Sequence, residues 1–297
     1  MHAQAHRSHP GNPSIVLVDC PDEVGLIFKI TGVLSELGLN IHSNQEFVDT
    51  HTGHFFFRAK VFEPAGVNGS DVLMENIQTQ LKGVLPKEAC VRVVRSDRKP
   101  ILICATREPH CLGELLLLDA VGDLPGRIVG VIANHENLRS LVERFGVPFH
   151  CVTHEGVTRE EHERSLIEII DRYKPEVIVL ARYMRVLSEQ FVNRFEQRII
   201  NIHHSFLPAF AGASPYRQAF VRGVKIIGAT AHIVTAELDD GPIIAQDVIH
   251  IDHTFTHERM AQAGRDVEKL VLAKAVRMVL EDRVFLHEGR TIVFETS

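Results

Sequence analysis

The stretch that decides the fold is ILICATREPHCLGELLLLDAVGDLPGRIVGVIA, residues 101–133. Apolar runs at 101–105 and 128–133 enclose a helical segment at 112–121. Apolar strands that alternate with helices are typical of a parallel sheet covered by helices on both faces. The alternation continues through 138–145, 149–152, 160–172, 177–181 and 199–202. We therefore predict an α/β fold for residues 100–297, with a doubly wound, mostly parallel sheet.

The chain before residue 100 carries a different order of patterns. Its strand-like and helical segments are, in order, 14–18, 26–37, 40–48, 53–61, 72–81 and 90–94. The first helix has apolar residues at helical spacing and ends before Gly38, a common stop signal. The order βαββαβ is that of a ferredoxin-like domain, which we predict for residues 13–95. The charged residues 96–99, followed by Pro100, predict a linker between the two domains.

Composition restricts the partners and the compartment. The net charge of −6, from 32 Lys and Arg against 38 Asp and Glu, disfavours nucleic-acid binding. There is no run of about 18 or more apolar residues, so no membrane segment is expected. Residues 1–12 are polar and rich in histidine, and we predict a disordered tail there rather than a signal peptide. Five cysteines without a CxxC pair favour reduced thiols and a cytoplasmic protein.

Two polar clusters follow strand-like runs in the larger domain. Asn201 and His203 are two residues apart in an extended segment, so their side chains point to the same face. The run that contains His232 leads into an acidic turn at Asp239 and Asp240. Because sheets of this class bind ligands beyond the carboxyl ends of their strands, the clusters could converge. Taken singly, residues of these types are usually ordinary turn formers or satisfied polar groups.

Asparagine, histidine and aspartate together suit acyl transfer without a metal ion. An amide and an imidazole can donate hydrogen bonds to a developing oxyanion. A carboxylate can orient or deprotonate the attacking group. The residue types alone therefore indicate, without proving, an acyl-transfer or hydrolytic site.

The same residues carry a family resemblance. The segments 201–208 (NIHHSFLP) and 238–244 (LDDGPII) resemble the signatures of folate-dependent formyltransferases and deformylases. The resemblance implies 10-formyltetrahydrofolate as the substrate, and no cofactor or metal. It also implies that Asn201, His203 and Asp239 form a catalytic trio, and that His232 supports Asp239 from the neighbouring strand. The segment 181–187 is also similar, and implies folate binding, largely through the backbone, by Met184, Arg185, Val186 and Leu187.

The amino-terminal domain carries a second resemblance. Residues 19–26 (DCPDEVGL) look like the loop of an ACT domain, a small amino-acid-sensing module. This implies an amino-acid effector that binds at Asp22, Glu23, Val24, Gly25 and Leu26. It also implies a homo-oligomer, because ACT modules commonly pair. An ACT domain before a formyltransferase-like domain favours the deformylase branch of the family, which would supply formate and free folate to one-carbon and purine metabolism.

The acceptor of the formyl group is the main open question. A transferase that uses a glycinamide ribonucleotide must hold a phosphate, for which a Gly-rich loop after the first strand is suited. Here the loop 106–114 contains Glu108, Pro109 and Glu114 and a single late glycine. Water is therefore the expected acceptor, and transfer to an amine stays the alternative.

Two other readings compete with a metal-free hydrolase. Six histidines could gather around a metal: His203, His204, His232, His250, His253 and His257. No HExxH pair occurs, however, and metal sites need definite ligand geometry. The second rival is a sensor whose larger domain is catalytically silent. The presence of Asn201, His203 and Asp239 argues against that reading.

Overall fold

The computed structural model describes residues 13–62, 71–208 and 215–295. The chain divides between Asp97 and Arg98 into two compact units. Lys99, the last residue of the predicted linker, is the first residue of a strand. The predicted disordered tail, residues 1–12, lies outside the described residues. Within the described ranges, no helix has both the length and the apolar character needed to cross a bilayer.

The amino-terminal unit is built around an antiparallel sheet. Its elements are β1 (Ser14–Pro21), α1 (Leu26–Glu36), β2 (Asn40–Asp49), β3 (His54–Phe62), α2 (Asp71–Val84) and β4 (Cys90–Arg95). The strand order β2-β3-β1-β4 places β1 between β3 and β4, antiparallel to both. Ile30 and Leu34 of α1 and Leu81 of α2 are fully buried in one core with Phe57 of β3. The predicted βαββαβ arrangement is confirmed.

Besides a short 3₁₀ helix (Glu136–Leu138), the described part of the carboxy-terminal unit contains the following strands and α-helices. They are β5 (Lys99–Ala105), α3 (His110–Val121), β6 (Gly126–Ala133), α4 (Arg139–Arg144), β7 (Phe149–Cys151), α5 (Arg159–Tyr173), β8 (Val177–Ala181), α6 (Glu189–Arg194), β9 (Ile199–His203), α7 (Pro215–Arg222), β10 (Ile226–Ile233), β11 (Ile243–His250), α8 (His257–Leu280), β12 (Val284–His287) and β13 (Arg290–Val293). A seven-stranded sheet has the order β11-β10-β9-β8-β5-β6-β7. The last two strands pair as a separate hairpin.

The large sheet is buried on both faces. Ile101 and Ile103 of β5 pack in a core with residues of α3 and α8. Leu102 and Cys104, which point the other way, pack in a second core with residues of α5 and α6. The pairs β5–β6, β5–β8, β6–β7 and β8–β9 are parallel. The doubly wound, mostly parallel prediction is therefore confirmed.

The edge of this sheet departs from the parallel order in a way that builds the site. Strand β10 runs antiparallel to both β9 and β11. Its register places His232 opposite Asn201 and Thr230 opposite His203. The loop after β10 therefore begins beside the first residues of β9, where the Val234 N–H donates to the carbonyl of Ile199, and not beyond the carboxyl end of β9. Asp239 of this loop nevertheless reaches the side chains of His203 and His232.

Candidate active site

His203 and Asp239 form the centre of the site. His203 ends β9 and is 5% exposed. Asp239 lies in the loop between β10 and β11, with a φ of +57° that few non-glycine residues adopt. Its Oδ2 lies 3.1 Å from His203 Nδ1. Because an ionised carboxylate only accepts hydrogen bonds, Nδ1 is the donor, and Nε2 of His203 is left for the cavity.

His232 joins the other two predicted residues. Its Nδ1 lies 2.9 Å from the carbonyl oxygen of Ile233, which can only accept, so Nδ1 carries the proton. Nε2 then accepts a hydrogen bond from Asn201 Nδ2 at 3.2 Å. The same Nε2 lies 3.8 Å from Asp239 Oδ1. The structure thus brings all four predicted catalytic residues into one connected group.

The pKa shifts at this group keep the carboxylate ionised and the imidazole of His232 neutral. The hydrogen bond from His203 lowers the pKa of Asp239, and this outweighs the opposite effect of burial. Burial also lowers the pKa of His232, because a charged imidazole would lose its hydration. At neutral pH, Asp239 is therefore ionised and His232 is neutral. Nε2 of His203 is buried and has no hydrogen-bond partner among the described residues.

Gly241 keeps the Asp239 loop against β10. A Cβ atom at this position would lie 1.7 Å from the carbonyl oxygen of Ile233 and 3.2 Å from His232 Nδ1. Only glycine fits so close to another backbone. Since the Ile233 carbonyl fixes the proton on His232, the close approach of Gly241 supports the tautomer of that ring.

The segment predicted to bind folate lines the same cavity, whose volume is about 660 Å³. Met184 and Val186 are more than half exposed there, at 57% and 58%. The backbone N–H of Met184 donates to Thr106 Oγ1 at 3.0 Å, and the carbonyl of Val186 accepts from Arg159 at 2.9 Å. These two backbone groups are thus bound within the protein. Arg185 and Leu187 also line the cavity.

A second polar cluster, which the sequence analysis did not assign, borders this cavity. Glu268 of α8 is completely buried. It accepts hydrogen bonds from Tyr216 at 2.6 Å and from His110 at 2.9 Å, and Arg182 Nε lies 3.4 Å from its carboxylate. Burial raises the pKa of Glu268, but these three partners lower it by more, so the net pKa is below its usual range. An acidic residue at a core-facing position of α8 was the available sequence signal.

Part of this cluster could in principle approach a metal ion. Ligand atoms of His110, Cys111 and Glu268 lie within 4.8 Å of one another. Burial raises the pKa of the Cys111 thiol well above its usual value, which disfavours the thiolate that a metal requires. The adjacent guanidinium of Arg182 further disfavours a cation at this position.

In the amino-terminal unit, the predicted effector residues form the turn between β1 and α1. Gly25 caps the helix with a φ of +92° and provides no side-chain hydrogen bond. The backbone N–H of Asp22 donates to the carbonyl of Gly53 at 2.8 Å. Glu23 pairs with Lys29 at 2.5 Å. Val24 is almost completely exposed, whereas Leu26 is buried.

The family matches divide the chain in the same order as the fold. Residues 99–276 match the formyl transferase family. Residues 14–68 match the ACT domain family. The two matches fall on either side of the division between Asp97 and Arg98.

Several relatives match this chain over both of its units. A formyltetrahydrofolate deformylase of Haemophilus influenzae is 53% identical over 279 residues, which cover 94% of this chain and 98% of that protein. One from Bacillus subtilis is 44% identical over 94% of this chain and 93% of its own length. The crystal structure of a deformylase of that name from Pseudomonas syringae has a TM-score of 0.91, with 37% identity, and covers 98% of this chain and 96% of its own. This chain belongs to the formyltetrahydrofolate deformylase family.

Proposed function

We propose that this chain hydrolyses 10-formyltetrahydrofolate to formate and tetrahydrofolate, with Asn201, His203 and Asp239 as catalytic residues and His232 as their support. The observation that carries the proposal is the connected group that these side chains form on the wall of one cavity. The relatives that match over nearly the whole chain bear the corresponding name.

The reaction begins with water at the formyl carbon. Asp239, which is ionised at neutral pH, accepts a hydrogen bond from the water and so positions it for attack by its oxygen. One N–H of the Asn201 amide donates to His232, and the second N–H can donate to the developing oxyanion. Donors fixed in advance for this charge contribute about 3–4 kcal/mol to barrier lowering in comparable sites.

Collapse of the tetrahedral intermediate breaks the bond between the formyl carbon and the folate nitrogen. The departing nitrogen must gain one proton, and we assign its delivery to His203. Nε2 of His203 is unprotonated while Nδ1 donates to Asp239, so Nε2 takes one proton from the attacking water and passes it to the departing nitrogen. The second water proton is lost when formic acid ionises. No metal ion or cofactor is needed for these steps.

Folate binding is assigned to the segment that contains Met184, Arg185, Val186 and Leu187. The exposed Met184 and Val186 side chains offer apolar surface for a ring system. Arg185 adds a positive charge to a cavity that must take an anionic folate.

The acceptor is water rather than an amine in this proposal. The alternative has a specific basis, because a glycinamide ribonucleotide transformylase from Symbiobacterium toebii has a TM-score of 0.64 with 29% identity. That structure covers 67% of this chain and 95% of its own length, whereas the deformylase relatives also match the amino-terminal unit. The longer match favours hydrolysis.

Formate release by purified protein tests the proposed site. Asp239→Asn, Asn201→Ala and His203→Ala are each expected to lower turnover by about 100-fold or more. Asn tolerates the positive φ of residue 239, so Asp239→Asn should preserve the fold. The neighbouring Asp240→Asn is the matched control. Near-parental turnover in all three site variants would contradict the proposed site. In a separate assay, loss of activity in excess chelator would contradict metal-free hydrolysis.

The amino-terminal unit is proposed to sense an amino acid at the turn from Asp22 to Leu26, and the chain to form a homo-oligomer in the cytoplasm. The ACT match and the uncapped amides at the start of α1 support an anionic effector group at this turn. Calorimetric titration of the full chain with the common amino acids tests it. A ligand whose binding Gly25→Ala abolishes would support the assignment, whereas binding unaffected by changes throughout this turn would contradict it.

A further inference from the structure

One wall of the catalytic cavity is made of side chains that the proposed mechanism does not use. We call Arg182, His204 and Tyr216 the closed wall. The ring of His204 lies 5.2 Å from that of His203 and 6.1 Å from that of Tyr216, measured between centroids. All three residues of the closed wall line the same cavity as Asp239. The closed wall therefore lies next to the reacting group, with His204 in contact with the ring of His203.

Buried charge anchors the closed wall in place. Tyr216 donates to Glu268 at 2.6 Å, and Arg182 Nε lies 3.4 Å from the same carboxylate. Glu268 is also bonded to His110 at the start of α3. The carboxylate thereby ties residues from α3, α7 and the end of β8 to α8. Because Arg182 and Tyr216 are both paired with this buried charge, neither can move aside without removing a partner from it.

The closed wall depends on two restricted backbone positions, one with a positive φ and one where only glycine fits. Arg182 has a φ of +59°, a region that favours glycine. Gly264 of α8 has no room for a Cβ atom, which would lie 2.1 Å from the ring and the hydroxyl of Tyr216. A strained backbone conformation, such as that of Arg182, persists only where the surrounding structure holds it in place. Here the two positions bring a guanidinium and a phenol ring to the edge of the cavity.

Hydrolysis and formyl transfer need the same catalytic groups and differ only in the nucleophile. In hydrolysis, the water oxygen bonds to the formyl carbon, the carbon–nitrogen bond to folate breaks, and the folate nitrogen gains a proton. In transfer, an amine nitrogen forms the new bond and loses one proton, and the folate nitrogen again gains one. An amine acceptor carries a chain that needs space beyond the formyl carbon, whereas water does not. Space next to the trio therefore decides between the two reactions.

We propose that the closed wall makes this protein a hydrolase by occupying the space that an amine acceptor would need. The inference rests on the proposed function and assigns Arg182 and Tyr216 as specificity-determining residues for the acceptor. Glu268 acts through them and is a positioning residue.

Product partition tests the inference. Each protein is incubated with 10-formyltetrahydrofolate and excess glycinamide, and N-formylglycinamide and formate are both measured. Arg182→Gly and Tyr216→Ala open the wall from different elements, and each is expected to raise the ratio of formylated amine to formate by roughly tenfold or more. Arg182→Lys and Tyr216→Phe keep most of the volume and are expected to stay near the parental ratio. Glycine suits the φ of residue 182, and Glu268 keeps His110 and Tyr216 as partners in Arg182→Gly, so this variant is expected to fold.

The outcomes separate this inference from the proposed function. Failure of the parental protein to release formate would count against the proposed function itself. A parental ratio in Arg182→Gly and in Tyr216→Ala, with formate still released, would overturn the role of the wall in acceptor choice. Folded variants that release neither product would also overturn it, since the wall would then serve hydrolysis directly. The ratio is unaffected by a general loss of stability, so a merely structural role would not change it.

Discussion

Asn201 donates a hydrogen bond to His232, with 3.2 Å between Nδ2 and Nε2. The bond depends on the tautomer of the histidine, which the carbonyl of Ile233 fixes by accepting from Nδ1. The amide of Asn201 is consequently oriented with its nitrogen toward His232 and one N–H remaining. In the proposed mechanism, His232 therefore acts by orienting the amide of Asn201.

Removal of this acceptor should affect catalysis more than binding. His232→Leu leaves the amide of Asn201 free to rotate, so kcat for formate release is expected to fall by about 10- to 100-fold with little change in KM. His232→Gln can still accept a hydrogen bond and should recover part of the rate. The exposed His250 provides the control variant, His250→Gln. Equal kcat values for the Leu and Gln variants would contradict the role of the hydrogen bond.

Gly241 should be far less tolerant of a methyl group than a helical glycine in the same unit. Gly241→Ala forces the carbonyl of Ile233 away from its position, because the new Cβ would lie 1.7 Å from it. Formate release is expected to fall by about 10-fold or more. No described residue has an atom within 4 Å of a Cβ added at Gly113 of α3, and Gly113→Ala should raise the free energy of unfolding by about 0.5–1 kcal/mol. Comparable activity in the two variants would refute the close-approach argument.

Sequence patterns predicted most of the fold because apolar runs and stop signals are local features. The segments 101–105 and 177–181 could be recognised as buried strands, and both are fully or nearly fully buried. The antiparallel direction of β10 was not predicted, since strand direction depends on pairing with a distant segment. Helix α8, with charged residues among its apolar positions, was not delimited either.

The residues of the candidate site also divide into those that local sequence features could find and those that depend on distant contacts. Asn201 and His203 were placed on one face by their spacing, and Asp239 and His232 by family resemblance. The contacts of Glu268 join four segments from residue 110 to residue 268, and no local pattern carries such a relationship. The burial of Glu268 follows from these distant contacts, although its place among the apolar positions of α8 was a local signal.

Acid should destabilise the protein first through the half-buried His204. Burial, reinforced by the charge of Arg182, lowers the pKa of His204 from 6.5 to about 4. Between these values, the unfolded chain binds a proton that the folded chain does not, so stability decreases as pH falls from about 6.5 to about 4. The carboxylates of Asp239 and Glu268, whose pKa values are lowered, add their losses at still lower pH.

Chemical denaturation at a series of pH values measures this effect. His204→Gln removes the titrating group, and its stability is expected to fall less steeply than that of the parental protein between pH 6.5 and 4. The exposed His253 supplies the matched control, His253→Gln. An unchanged slope in His204→Gln would mean that His204 does not contribute to acid unfolding.

The ion pair between Arg182 and Glu268 should be energetically coupled in the folded state. Glu268→Ala leaves the largely buried guanidinium without its carboxylate, and is expected to lower the free energy of unfolding by about 3–5 kcal/mol. Adding Arg182→Gly removes the unpaired charge and relieves the φ of +59°, so the double variant should be more stable than the sum of the single effects predicts. Urea unfolding of the parental protein, both single variants and the double variant provides the four free energies of this cycle. A coupling energy near zero would show that the two side chains act independently, in which case Glu268 could not hold Arg182 against the cavity.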